Sequence, residues 1–129
     1  HGLMVPKIRD VDQMSIKEIG SALRKTSRLC RDLKIDKKEF FGGSMTISSL
    51  GGIGGTFFTP IINPPEVAIL GVGKSFDRLV KVKDKFISRK ILPISLSYDH
   101  RIIDGAEGAR FCVYLGKCLG KDFAFKLAV

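Results

Sequence analysis

His100 occupies a setting in which an imidazole could act as a base. In residues 95–105, SLSYDHRIIDG, it follows a stretch patterned as a strand and precedes one patterned as a helix. A histidine with an unperturbed pKa of about 6.5 can take a proton near neutrality and return it. A short connection at the end of a rigid element leaves such a side chain accessible and well aimed. Seen in isolation, a lone histidine is more often an ordinary hydrogen-bonding residue, so the elements that would hold it carry the argument.

Residues 91–98 (ILPISLSY) alternate apolar with small or polar side chains and are rich in β-branched and aromatic types, which predicts a strand. Asp104, with Glu107 three residues on, has the form of a capping box and predicts a helix over 105–119. Earlier, Ser15 and Glu18 form a second capping box. Ile16, Ile19, Leu23, Thr26, Cys30 and Leu33 then recur at helical spacing, predicting a buried face opposite a wet one of Lys17, Arg24, Lys25, Arg28 and Arg31. Residues 3–8 form a short strand candidate, placed at an edge by Pro6. Residues 44–49 and 67–72 read as strands. Residues 79–83 and 86–89 read as an exposed hairpin turning near Asp84 and Lys85. Between them, Gly51, Gly52, Gly54 and Gly55 permit unusual dihedrals, and the proline-rich 59–66 predicts a rigid extended loop or bend. Several strands flanked by two helices give an α/β layered fold.

The histidine motif resembles the DHRxxDG signature of the dihydrolipoyl acyltransferase catalytic domain, the core enzyme of the 2-oxo acid dehydrogenase complexes and a relative of chloramphenicol acetyltransferase. Residues 45–73 (MTISSLGGIGGTFFTPIINPPEVAILGVG) resemble that family's central segment, and residues 2–11 (GLMVPKIRDV) the segment before it. The resemblance implies an α/β two-layer sandwich with a mixed sheet, chloramphenicol acetyltransferase-like. The chain would be the C-terminal portion of a single catalytic domain, with the lipoyl and subunit-binding domains absent. It implies acyl transfer, of the acetyl or pyruvate dehydrogenase type, between a dihydrolipoyl thiol and coenzyme A. Coenzyme A is then a substrate, and the lipoyl group rides on a domain outside this chain.

By the same resemblance His100 is the general base and the Ser48 hydroxyl stabilises the tetrahedral oxyanion, with Ser49 as the neighbouring alternative. Asp104 holds the loop and the histidine geometry as well as capping the helix. The substrate sulfur is the nucleophile, so the three are not a hydrolase triad. Family members form homotrimers with active sites between subunits, Ser48 of one facing His100 of the next. The trimers build cubic or dodecahedral cores that work with lipoyl domains, a decarboxylase and dihydrolipoyl dehydrogenase. The tail residues Phe123, Phe125, Leu127 and Val129 alternate as an apolar hook for contacts between trimers. The rival from another class is a non-catalytic core or scaffold subunit of the same kind of complex.

Composition narrows the remaining choices. At 129 residues and 44% hydrophobic, the chain has enough apolar content for one domain with a core. The net charge of +9 suits a solvated surface or anionic substrates. The basic residues are spread along the chain without an aromatic stripe, which argues against nucleic acid. Cys30, Cys112 and Cys118 fit no disulfide framework, predict buried inert thiols and suit a reducing compartment: bacterial cytoplasm, or mitochondrial matrix in a eukaryote. No apolar run reaches the roughly 20 residues of a membrane span. SLGGIGG lacks the lysine of a phosphate loop, and no histidine or cysteine pair has metal-ligand spacing.

Overall fold

In the computed structural model, residues 2–120 and Phe123 are described, and they divide into two compact units. The first contains residues 1–44 with the C-terminal residues from Leu119, and the second runs from Met45 to Cys118. Helix α1 (Ile16–Arg31) dominates the first unit. Its start is the reciprocal cap expected from sequence: the Ser15 hydroxyl accepts from the Glu18 N–H while the Glu18 carboxylate accepts from the Ser15 N–H.

The expected burial of its apolar face does not occur, since Ile16 is 59% exposed and Leu23 55%. Ile19, Ala22, Thr26 and Cys30 are only half-covered. Amphipathic spacing shows which face is to be covered and not whether the unit itself covers it. Residues 3–8 are likewise no strand. Pro6 lacks an N–H, and the Lys7 N–H bonds the Glu39 carbonyl while Arg9 donates to the Lys38 and Phe41 carbonyls. The segment is thus tied to the 3-10 turn Lys37–Phe40 instead of to a sheet partner.

The second unit is built on a three-stranded mixed sheet of β1 (Thr46–Ser49), β2 (Ala68–Val72) and β5 (Ile94–Tyr98), with β2 central. β1 runs parallel to β2 and β5 antiparallel to it. A separate hairpin joins β3 (Phe76–Val82) to β4 (Lys85–Ile91), turning at Lys83 and Asp84 with Val82 opposite Lys85. Helix α2 (Gly105–Cys118) follows β5 and packs against it. The central strand is the core: Ala68, Ile69 and Leu70 are buried, as its uninterrupted apolar run requires.

The strand expected over 91–98 is two elements. Ile91 ends β4 in one sheet, and β5 begins only at Ile94 in the other, because Pro93 cannot donate to a ladder. The Pro93 carbonyl instead accepts from the Gly73 N–H. Gly73 itself cannot be replaced without movement, since a Cβ there would collide with the Thr56 carbonyl oxygen.

The 59–66 loop forms no helix or strand, as expected, and bends at its end: the Glu66 N–H donates to the Asn63 carbonyl across a cis bond between Pro64 and Pro65. It ends in a buried Glu66, whose carboxylate accepts the Thr46 hydroxyl at 2.5 Å and so links the loop to the start of β1. Of the glycines before it, Gly54 (φ 150°) and Gly55 (φ 86°) adopt the dihedrals that favour glycine. Cys30, Cys112 and Cys118 are free, and they are half-buried rather than buried. The expected hook residues Phe125, Leu127 and Val129 lie outside the described residues. Phe123 is described and exposed, its N–H donating to the Gly120 carbonyl.

Candidate active site

The site is organised by the six-residue connection between β5 and α2. The last rung of the sheet extends to Asp99, whose N–H bonds the Val67 carbonyl at 2.8 Å. The Asp99 carbonyl then accepts from the Ile102 and Ile103 N–H groups, closing a tight turn with His100 at its tip. Asp104 caps the helix as expected. Its carboxylate accepts the Glu107 N–H at 2.8 Å, satisfying one of the donors left open at a helix start. His100 is exposed, its ring centroid 5.7 Å from that of Tyr98.

Sequence reasoning missed the pair that sets this turn. The Asp99 carboxylate accepts the Arg101 N–H at 3.0 Å and the Arg101 guanidinium at 2.9 and 2.6 Å, so the residues on either side of His100 are clamped together beneath it. The signal was present: an aspartate two residues before an arginine can close on its own backbone and on the guanidinium at once. These hydrogen bonds to Arg101, side chain first and backbone second, hold the Asp99 pKa down at about 2.

A group whose folded pKa lies below its ordinary value contributes stability above that ordinary value and loses it as pH falls through the folded one. The turn should therefore stay intact at pH 5 and loosen from about pH 4 down through about 2. A carboxyl carbon NMR titration checks this. Arg101→Ala should move the Asp99 midpoint upward part of the way, since the backbone hydrogen bond remains. An unchanged midpoint would show that the guanidinium does not hold the carboxylate.

Ser48 is in β1, half-buried, with Gly71 and Ser95 as its cross-strand partners. Partners in one row share a sheet face, and successive residues alternate. Ser48, Gly71 and Ser95 therefore face one side, where Phe58 and Pro60 lie against Gly71. Tyr98, which packs on Gly108 of α2, faces the other side, as does the exposed Ser49. Three residues along β5 separate the Ser48 row from Tyr98, about 10 Å, and two strand spacings across the sheet add about 10 Å sideways. The structure thus brings His100 and Asp104 together and puts Ser48 across the sheet from both. Within one chain, hydroxyl and imidazole do not meet.

A mixed sheet thus presents an exposed histidine on the turn into a capped helix. The family model described as 2-oxoacid dehydrogenases acyltransferase (catalytic domain) matches residues 1–124, and the chain belongs to this family. It is 51% identical over 123 residues to the dihydrolipoyllysine-residue acetyltransferase component of the pyruvate dehydrogenase complex of Cupriavidus necator, covering 95% of this chain and 22% of that protein.

Two solved structures are close. One comes from a crystallographic and enzymatic investigation of a serine, a histidine and an asparagine in the catalytic mechanism of Azotobacter vinelandii dihydrolipoamide acetyltransferase. It matches with a TM-score of 0.90 at 49% identity, over 95% of this chain and 51% of that one. The other is the cubic core of a pyruvate dehydrogenase multienzyme complex, with a TM-score of 0.90 at 48% identity over the same shares. The chain therefore spans about half of each solved chain and about a fifth of the Cupriavidus protein.

Proposed function

We propose that the chain is the C-terminal portion of a single acyltransferase catalytic domain with chloramphenicol acetyltransferase-like topology. In our reading it moves an acetyl group between a dihydrolipoyl thiol and coenzyme A. The observation that carries this is the clamped turn from Asp99 to Asp104, which holds an accessible imidazole at the junction of a strand and a capped helix. The similarity to acetyltransferase components supports the acetyl group. In the Azotobacter protein the serine, histidine and asparagine under investigation have the same mutual spacings as Ser48, His100 and Asp104. That agreement favours Ser48 over Ser49 as the oxyanion donor. It also assigns Asp104 a role that asparagine can share, accepting a hydrogen bond at the helix start.

His100 takes the proton from the coenzyme A sulfur, and the thiolate attacks the thioester carbonyl of the acetylated lipoyl group. The carbonyl oxygen becomes an oxyanion that accepts the Ser48 hydroxyl. Collapse breaks the old carbon–sulfur bond, and the departing dihydrolipoyl sulfur recovers the proton from the imidazolium. Ser48 lies on the sheet face opposite Tyr98, whose ring neighbours His100, and this separation supports cooperation between copies over cooperation within one chain. This supports a homotrimer with its sites at the subunit boundaries.

Similarity to a cubic core supports assembly of trimers into a cubic or dodecahedral shell, served by lipoyl domains, a decarboxylase and dihydrolipoyl dehydrogenase. The free cysteines support a reducing compartment, the bacterial cytoplasm or, in a eukaryote, the mitochondrial matrix.

Direct transfer predicts no acetyl-enzyme. The intact protein, its lipoyl groups kept in the oxidised disulfide form so that they cannot themselves accept acetyl, then mixed with radiolabelled acetyl-coenzyme A and quenched with acid, should retain no label, and initial-rate plots against free dihydrolipoamide and acetyl-coenzyme A should intersect. Parallel lines with label held on a serine would overturn the mechanism.

A further inference from the structure

Tyr98 is the last residue of β5, and its ring lies against the first turn of α2 and beside the His100 imidazole. Three contacts define that position. A Cβ at Gly108, the one buried residue of α2, would come within 2.8 Å of Tyr98 Cε1 and 3.1 Å of Cζ. A Cβ at Gly105 would lie 3.9 Å from the Tyr98 hydroxyl and 4.0 Å from His100 Nε2, so both polar tips converge on the helix start. The two rings are 5.7 Å apart and tilted by 41°, within the range where aromatic pairs attract. Gly105 and Gly108, one helical turn apart, lie on the same face of the helix; the missing side chain of Gly108 makes room for the ring, while Gly105 meets both polar tips at ordinary van der Waals distance.

We propose that Tyr98 is a positioning residue for acyl transfer. Its ring, seated against Gly108, restricts the orientations open to the otherwise exposed imidazole and keeps Nε2 at the mouth of α2. This rests on His100 being the general base. The ring, not the hydroxyl, does the positioning, so Tyr98→Phe should behave like wild type. Tyr98→Leu keeps an apolar filler but removes the plane against the imidazole. Gly108→Ala retains the tyrosine but displaces its ring.

The test is acetyl transfer by the intact assembled protein, with assembly checked by mass and circular dichroism. Tyr98→Leu should lower kcat at least about tenfold and leave both KM values within about twofold, since misaiming a reacting group costs rate more than binding. Gly108→Ala should give a similar loss, and should add little when combined with Tyr98→Leu, because both act through one ring. It also gives the same reading if Tyr98→Leu does not fold. Tyr98→Phe should restore the kcat of Tyr98→Leu to near wild type.

A merely structural ring predicts a lower unfolding temperature with unchanged kcat, and independent effects of the two substitutions, and either result overturns the proposal. His100→Ala run alongside separates the two ideas. If it stays active, the base reading and this one fall together. If it is inactive while folded Tyr98→Leu and Gly108→Ala keep wild-type kcat, only the positioning role falls.

Discussion

His100→Ala should lower the rate of acetyl transfer by at least about two orders of magnitude. A thiol with a pKa of about 8.5 is only a few per cent thiolate at neutral pH, so without a base the reaction must wait for the rare ionised sulfur. The residual rate should then climb with pH toward the thiol pKa. A coupled thiol assay between about pH 6 and 9 reads both the loss and this slope. The binding surfaces are untouched by the substitution, so KM should change far less than kcat. A loss smaller than about tenfold would remove His100 from the chemistry. Absence of activity in the wild-type protein itself would favour the scaffold reading.

Ser48→Ala should cost about a hundredfold or more in kcat, the effect of removing one preorganised donor from an oxyanion site, equivalent to about 3 kcal/mol. Ser49→Ala should be close to wild type, because Ser49 is exposed on the opposite sheet face. The separation of Ser48 from His100 has a stronger consequence. Co-expressed with the His100→Ala chain, the Ser48→Ala chain should regain activity that neither has alone. Some boundaries in such a mixture combine an intact Ser48 from one chain with an intact His100 from the other. Failure to regain activity in demonstrably mixed trimers would mean that each chain completes its own site, against the sheet geometry.

Much of this was legible in the residues. Ser15 with Glu18 and Asp104 with Glu107 mark helix starts because a cap is a local hydrogen bond over three residues. The run of β2 and the existence of the hairpin were equally readable from apolar pattern and turn chemistry, although the turn falls at Lys83 and Asp84, one residue before the expected Asp84 and Lys85. Errors arose where a local pattern needed a distant partner. Residues 3–8 look like a strand but find a 3-10 turn and not a ladder. The apolar stripe of α1 looks like a core face, yet Ile16 and Leu23 remain exposed. The stretch 91–98 looks continuous, but Pro93 divides it between two sheets.

By itself the sequence determined which residue could act as base, where the capped helix after it begins, and the chemistry its motif resembles, since all three depend on neighbours along the chain. Only the tertiary structure decided that Asp99 and Arg101 clamp the turn, that Tyr98 is seated against Gly108 beside the imidazole, and that Ser48 lies on the sheet face opposite Tyr98. The first was locally encoded and overlooked. The other two follow from strand register and from the packing of a helix on a sheet, which are set by contacts between segments far apart in the chain.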